Sequence, residues 1–366
     1  MEHNLTLLYM GGLIDDRLLR ESVRRQVEAL GRCILDERRL PKLDPDTPLN
    51  LRKELGNEGA YLILCDDDSF ALVGRILSTL SDRPLRLGAY DLLLPEGATE
   101  TGESAYTLSL GSAVVTVLRC SPQDPFPRLP MDDTGGRTWQ LFPRSDAEER
   151  TLLLRLAEAG GESVTWTRIL PGWLQIRVCG EETLSRVAAW LKDPDLHALN
   201  APSLVQAFID YFSTTEKTLT FAESCTGGRL AAAITAESGS SAILEGSYVT
   251  YANRIKSGWL GVRAATLREH GAVSAECVRE MARGAQRNLD ADIAVAISGI
   301  AGPTGAVPGK PVGTVYLCVR NGTEERIRRL QLRGDRNAVQ DQAVLHALKM
   351  VLESEEKIFD FFSKNP

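Results

Sequence analysis

Three side chains able to move a proton or attack an electron-poor carbon, Ser224, Tyr251 and Lys256, stand close together in the sequence, each beside a short apolar run. A serine hydroxyl is a poor nucleophile at neutral pH, so its use demands a base. The four histidines offer no convincing one. His3 is terminal, His197 follows an Asp-Pro-Asp turn, His270 precedes a glycine, and His346 lies inside an amphipathic helical pattern. A lysine can serve if its ammonium is partly desolvated and its pKa falls, with a tyrosine hydroxyl relaying or stabilising the proton. On spacing alone a second account stays open: a serine or threonine that merely caps a helix before a glycine-rich turn has the same signature.

The elements around these residues must bring them together. Thr218 to Phe221 reads as a buried strand and Arg229 to Ala236 as a helix, so Ser224-Cys225-Thr226-Gly227-Gly228 is a tight strand-to-helix turn. Its two glycines allow positive φ, and the first turn of the helix leaves N–H groups free to hold an anion or a developing oxyanion. Gly246 to Tyr251 reads as a second strand running into Asn253 as N-cap, with Lys256 in the next helical turn, on the same sheet edge as Ser224. Ser274 announces a helix with Val278, Met281, Ala285 and Leu289 at helical spacing, and Ile293 to Ile297 is a continuous apolar strand. That strand delivers Ser298-Gly299-Ile300-Ala301-Gly302-Pro303 to the same edge, as a binding loop or as a turn that only needs glycine. Gly313 to Val319 is another buried strand, and a long helix follows over Asn337 to Leu352.

The motifs Glu223-Ser224-Cys225-Thr226-Gly227-Gly228, Tyr251-Ala252-Asn253 with Lys256, His270-Gly271-Ala272-Val273-Ser274, Ser298 to Pro303 and Lys310-Pro311-Val312-Gly313-Thr314-Val315 occur in the order found in the CinA family, which the last 165 or so residues closely resemble. The resemblance implies a three-layer α/β/α carboxy-terminal domain that deamidates nicotinamide mononucleotide. By similarity Ser224, Tyr251 and Lys256 occupy catalytic positions, and Thr226, Gly227, Gly228, Asn253, Ser298, Gly299, Ala301 and Gly302 belong to substrate-binding loops. Arg336 is the candidate for the substrate phosphate, since a guanidinium grips phosphate bidentately; a solvated arginine at a helix start is the alternative. The neighbouring Cys225 would be the better nucleophile as a thiolate, but the resemblance favours the serine, and consecutive side chains point apart. Neither a metal nor a cofactor is called for. Gly305-Ala306 departs from the two glycines common in the family, which would affect substrate fit more than chemistry.

The remaining chain is long enough for further domains. At 366 residues, with 43% hydrophobic and 25% charged residues, it reads as a soluble globular protein of two or three domains. A net charge of −7 argues against a nucleic-acid binder, and with no signal pattern or long apolar segment a cytoplasmic protein without membrane partners is expected. Seven scattered cysteines, with no Cys-x-x-Cys pair, give neither a disulfide framework nor zinc spacing. The expected division is 1–134, 135–196 and 197–366.

In the first part, Leu5 to Tyr9, Tyr61 to Cys65, and a hairpin of Ala105 to Leu110 with Ala113 to Leu118 read as strands, while Asp16 to Leu30 and Ser69 to Leu80 read as helices; Asp132, Asp133, Gly135 and Gly136 suggest a boundary. The family holds a molybdopterin-binding-like α/β domain here, associated in some members with ADP-ribose pyrophosphatase activity. The acidic and glycine-rich signatures of that domain are missing, replaced by Met10 to Asp16 and by Asp66-Asp67-Asp68-Ser69, so a related fold without that chemistry is expected. The aspartate run is either a divalent-ion site or, preferably, a loop capping the next helix.

Thr138 to about Leu191 shows strand, helix, strand, strand, helix, resembling the family's small KH-like α+β module; with no Gly-x-x-Gly clamp it reads as a spacer or dimer-forming element, and Lys192 to Ala201 as a linker. A helix over Pro202 to Phe212 opens the last domain. The resemblance also implies a homodimer. A rival reading is a non-catalytic nucleotide-binding or competence-linked interaction protein.

Overall fold

A computed structural model describes residues 4–11, 13, 16–30, 32–40, 46–55, 58–120, 129, 137–160, 163–191 and 196–364. The boundary signal at Asp132 to Gly136, His3, most of Met10 to Asp16 beyond Gly11, and the start of the linker at 192–195 lie outside them. The chain separates into two compact units, Met1–Gly136 and Arg137–Pro366.

In the first unit the order is β1 (Asn4–Met10), α1 (Arg17–Ala29), β2 (Cys33–Leu40), α2 (Thr47–Glu54), β3 (Glu58–Cys65), α3 (Asp67–Ser81), β4 (Leu85–Leu87), β5 (Leu93–Pro95), β6 (Thr99–Glu100), β7 (Ala105–Leu110) and β8 (Ser112–Arg119). Its main sheet runs β2-β1-β3-β8-β7-β6, parallel from β2 to β8 and antiparallel beyond. Side chains alternate across a strand, so Leu5, Leu7 and Tyr9 pack with Leu19, Val23 and Val27 of α1, while Leu8 and Met10 pack with Phe70, Val73 and Leu77 of α3. The strand β2 was not foreseen: Asp36, Glu37, Arg38 and Arg39 hide it in an edge position where polar side chains are tolerated. Asp66 caps α3 through its side chain, which accepts from the Ser69 amide at 2.8 Å, and Asp67 and Asp68 are exposed.

The second unit continues with β9 (Arg137–Leu141), α4 (Asp146–Gly160), β10 (Val164–Leu170), β11 (Trp173–Val178), α5 (Glu181–Leu191), β12 (Ala198–Leu199), α6 (Leu204–Thr215), β13 (Leu219–Glu223), α7 (Arg229–Thr235), β14 (Leu244–Val249), α8 (Asn253–Leu260), α9 (Ala264–Glu269), α10 (Ala275–Leu289), β15 (Ile293–Gly299), β16 (Thr314–Asn321), β17 (Glu324–Gln331), α11 (Arg336–Ser354) and α12 (Lys357–Lys364). Two sheets result. The antiparallel one, β10-β11-β9-β12, includes Ala198 and Leu199 from the stretch read as a linker. The other runs β14-β13-β15-β16-β17, with β14, β13 and β15 parallel and β16 and β17 antiparallel.

This five-stranded sheet is covered on both faces. Phe221, Ile293, Val295 and Ile297 share a core with α6, α7, α11 and α12, and Ala222, Ala294 and Ala296 share another with Leu260 of α8 and with α10. The result is the expected three-layer α/β/α arrangement. The helix read as starting at Pro202 begins instead at Leu204, because the Ser203 side chain accepts from the Gln206 amide and fixes the start there. Among the described residues no helix is long and apolar enough to cross a membrane.

Candidate active site

Register brings the chemistry to one edge. Glu223, the last residue of β13, pairs with Val249, the last of β14, and with Ile297 of β15, which runs two residues further, so the three parallel strands reach the same edge. Ser224, Thr250 with Tyr251, and Ser298 come next in each. Their loops border a cavity of about 320 Å³ that Arg336 also lines.

The turn after β13 is built from within. Gly227 and Gly228 take φ of 62° and 99°, a region other residues rarely adopt, and Gly228 sits at the N-cap of α7 with no side chain to cap it. Glu223 does the capping from the strand. Its buried carboxylate accepts from the amides of Gly228 at 3.0 Å, Leu230 at 3.1 Å and Ala231 at 3.0 Å. The Ser224 amide donates to the Ile297 carbonyl at 2.9 Å, and its carbonyl accepts from the Gly227 amide at 3.2 Å. Of the oxyanion donors expected around Thr226 and Gly227, the Gly227 amide is already committed, as is that of Gly228, whereas the amides of Thr226 and of Cys225 before it make no backbone hydrogen bond among the described residues. Thr226 itself is buried, and Thr226, Gly227 and Gly228 shape the turn without bordering the cavity.

Lys256 is 1% exposed, and its Nζ lies 2.9 Å from Ser224 Oγ. The same nitrogen donates to the carbonyls of Thr250 at 2.6 Å and Tyr251 at 3.2 Å. A neutral amine has two hydrogens and one lone pair. With both hydrogens on these carbonyls, the lone pair is directed at the serine hydroxyl. Burial favours that neutral form by lowering the Lys256 pKa below the ordinary lysine value. The helix carrying the lysine is seated by a close approach: a methyl on Gly284 of α10 would overlap the Leu260 carbonyl at the end of α8. Asn253 is not the N-cap expected of it. Ala252 holds that position, without a side-chain bond, and Asn253 is the first helical residue and faces the cavity.

The hydroxyl of Tyr251 makes no hydrogen bond to Ser224 or Lys256 among the described residues. Tyr251 is 62% exposed at the cavity rim, and its hydroxyl accepts from Arg336 Nη2 at 3.0 Å. Arg336 Nη1 donates to the Gly302 carbonyl at 2.7 Å, tying Tyr251 to the loop after β15. In that loop Ser298 donates to the Ala272 carbonyl at 2.8 Å, and Gly299, Ala301 and Gly302 form the cavity wall. Cys225 is not a competing nucleophile: burial pushes its thiol up to about 12, so it stays protonated at neutral pH.

Two contributors escaped the sequence reading. Glu223 belongs to a recognised motif, yet nothing in its spacing announces a buried cap. Gln340 of α11 donates to the Cys225 carbonyl at 2.6 Å across 115 positions of sequence, a separation no local pattern reports. Among the described residues no cluster of three or more His, Cys, Asp or Glu is placed to hold a metal.

A serine hydroxyl hydrogen-bonded to a buried lysine amine at the carboxyl edge of a three-layer α/β sheet marks the candidate site on an α/β scaffold. The model of the CinA C-terminal domain family matches residues 202–354. The nicotinamide-nucleotide amidohydrolase PncC of Pseudomonas putida is 50% identical over 135 residues, covering 37% of this chain and 84% of that protein. Its Escherichia coli K12 namesake is 51% identical over 133 residues, covering 36% and 81%. A CinA-like protein of Thermotoga neapolitana is 40% identical over 154 residues, covering 42% of this chain and 38% of that one. The crystal structure of the competence damage-inducible protein of Klebsiella pneumoniae is 39% identical, covers 41% of this chain and 93% of its own, and has a TM-score of 0.40. The chain belongs to the CinA family, and it spans about two fifths of the length of long relatives such as the Thermotoga protein.

Proposed function

We propose that the second unit hydrolyses the carboxamide of nicotinamide mononucleotide to nicotinate mononucleotide and ammonia. The carrying observation is the Lys256 amine, buried and hydrogen-bonded to two carbonyls, 2.9 Å from Ser224 Oγ. The names of the two amidohydrolase relatives supply the substrate.

Lys256 takes the Ser224 proton as Oγ bonds to the carboxamide carbon, and the amides of Cys225 and Thr226 receive the oxyanion. Collapse breaks the C–N bond, and the lysine proton leaves with ammonia. Water then attacks the acyl ester and gives one proton to Lys256, which returns it to Ser224 as the carboxylic acid departs; the acid loses its remaining proton to solvent and becomes the carboxylate. Tyr251, its hydroxyl held by the Arg336 guanidinium, assists the leaving group from the rim, and Arg336 and Asn253 face the nucleotide phosphate. Ser298, Gly299, Ala301 and Gly302 form the wall against which the pyridine lies.

The same reading keeps 197–366 as the amidase domain, 135–196 as a KH-like module and 1–134 as a molybdopterin-binding-like domain, in a homodimer. Purified protein incubated with nicotinamide mononucleotide should release ammonia, and Lys256→Ala should release none above background. Absence of ammonia from the unsubstituted chain would reject the substrate.

A further inference from the structure

The Ser224 turn can be followed peptide by peptide, since each buried N–H and C=O needs a partner. The Glu223 carbonyl accepts from Thr250, that of Ser224 from Gly227, and that of Thr226 from Arg229. The Cys225 carbonyl receives no backbone donor among the described residues; the Gln340 side chain supplies one, in a bond buried from solvent. Carbonyl and amide of one trans peptide lie in a plane and point in opposite directions. Drawing the Cys225 carbonyl toward α11 therefore turns the Thr226 N–H away from α11.

We propose that Gln340 is a positioning residue that holds the Thr226 amide in the direction required to receive the oxyanion formed when Ser224 attacks, an inference that rests on the amide-hydrolysis reading above. The helix is suited to the task. Asp335 caps it by accepting from the Ala338 amide at 2.8 Å, and the buried row Val339, Ala343, Val344 and Ala347 fixes its rotation. Gln340 lies one turn after Arg336, which grips the Gly302 carbonyl and the Tyr251 hydroxyl. One rigid helix thus orients the nucleophile turn and the opposite wall together. A neutral amide is the fitting donor, because it satisfies the carbonyl at this 8% exposed position without burying a charge.

Gln340→Met keeps the length and removes the donor. With nicotinamide mononucleotide as substrate, kcat should fall about 10- to 100-fold, below the full loss of an oxyanion donor, while KM and the affinity for nicotinate mononucleotide change by less than about twofold. The backbone ¹⁵N–¹H resonance of Thr226 should shift in the same variant, and Gln340→Glu, unable to donate as a carboxylate, should match it in both readouts. An unchanged Thr226 resonance with kcat within about twofold of the parent overturns the proposal, as does a parallel loss of kcat and product affinity with a lowered melting temperature, which marks a merely structural role. If the parent chain releases no ammonia, the substrate reading fails on its own, and the Thr226 resonance still decides whether Gln340 orients that peptide.

Discussion

Each unit carries an acidic strand-to-helix turn at the carboxyl edge of a parallel sheet, and the two solve the helix start in opposite ways. After β3, Asp66 is itself the N-cap, and the residues that follow enter the helix at once. After β13 the capping acid is Glu223, still inside the strand, and its carboxylate reaches past the turn to three amides of the helix start. Moving the cap back into the sheet releases the intervening residues from structural duty. Ser224 is then free to face a base, and two amides are left without backbone partners. The first unit's turn has its acid one position later, outside the strand, where it is the cap itself.

The sharpest way to break this contrast is at the serine. Ser224→Ala should lower ammonia release from nicotinamide mononucleotide at least about a thousandfold without a significant change in melting temperature. Turnover close to the parent would remove the distinction between the turns.

The next test uses pH. Because burial lowers the Lys256 pKa, kcat/KM should rise with pH through that lowered value, as the neutral amine becomes available. The linkage has the same sign. Between the lowered folded pKa and the ordinary lysine value the unfolded chain binds more protons, so this group's penalty on stability is largest at low pH and relaxes as pH rises across that window. Lys256→Met should abolish activity and flatten this part of the stability–pH profile; an unchanged slope would show that the amine is already charged in the folded protein.

A smaller effect separates the two caps. Glu223→Ala leaves three helix-start amides, one buried and two part-buried, without their acceptor and should cost about 3 kcal/mol, against about 1 kcal/mol for Asp66→Ala, a single cap. Thermal unfolding of the two variants gives the order, and equal losses would mean that the acids play the same role. Smallest of all, Asp67→Asn and Asp68→Asn should leave both melting temperature and the heat of Mn²⁺ titration at parental values, since both residues are exposed beside a cap that does not need them. A loss of Mn²⁺ binding in either variant would restore the metal-site reading of that run.

What the sequence made legible follows the range of the interaction. The strands around Ser224 and the Ser274 cap depend on neighbours within a few positions, and apolar runs and small capping residues announce them; the long helix expected from Asn337 starts one residue earlier, at Arg336, where Asp335 caps it. The edge strand β17 was not recognised, because five of its eight residues are Glu or Arg and only Ile327 and Leu330 pack against a core, on opposite faces. Asn253 misled for a related reason: asparagine is a good N-cap in general, but here Ala252 already has the extended backbone of the cap. The direction of the Tyr251 hydroxyl, the reach of Glu223 and the Gln340 bond depend on where distant elements meet in space.

The seat of α8 against Gly284 has a further implication. Ser224 and Lys256 are held from opposite layers, Ser224 in the turn between β13 and α7, which packs on one face of the sheet, and Lys256 on α8 on the other. Their separation is therefore a spacing between helices before it is a property of either side chain. A residue that touches neither side chain, and offers only a hydrogen atom where others carry carbon, works as the shim that sets the gap between the Ser224 oxygen and the Lys256 nitrogen.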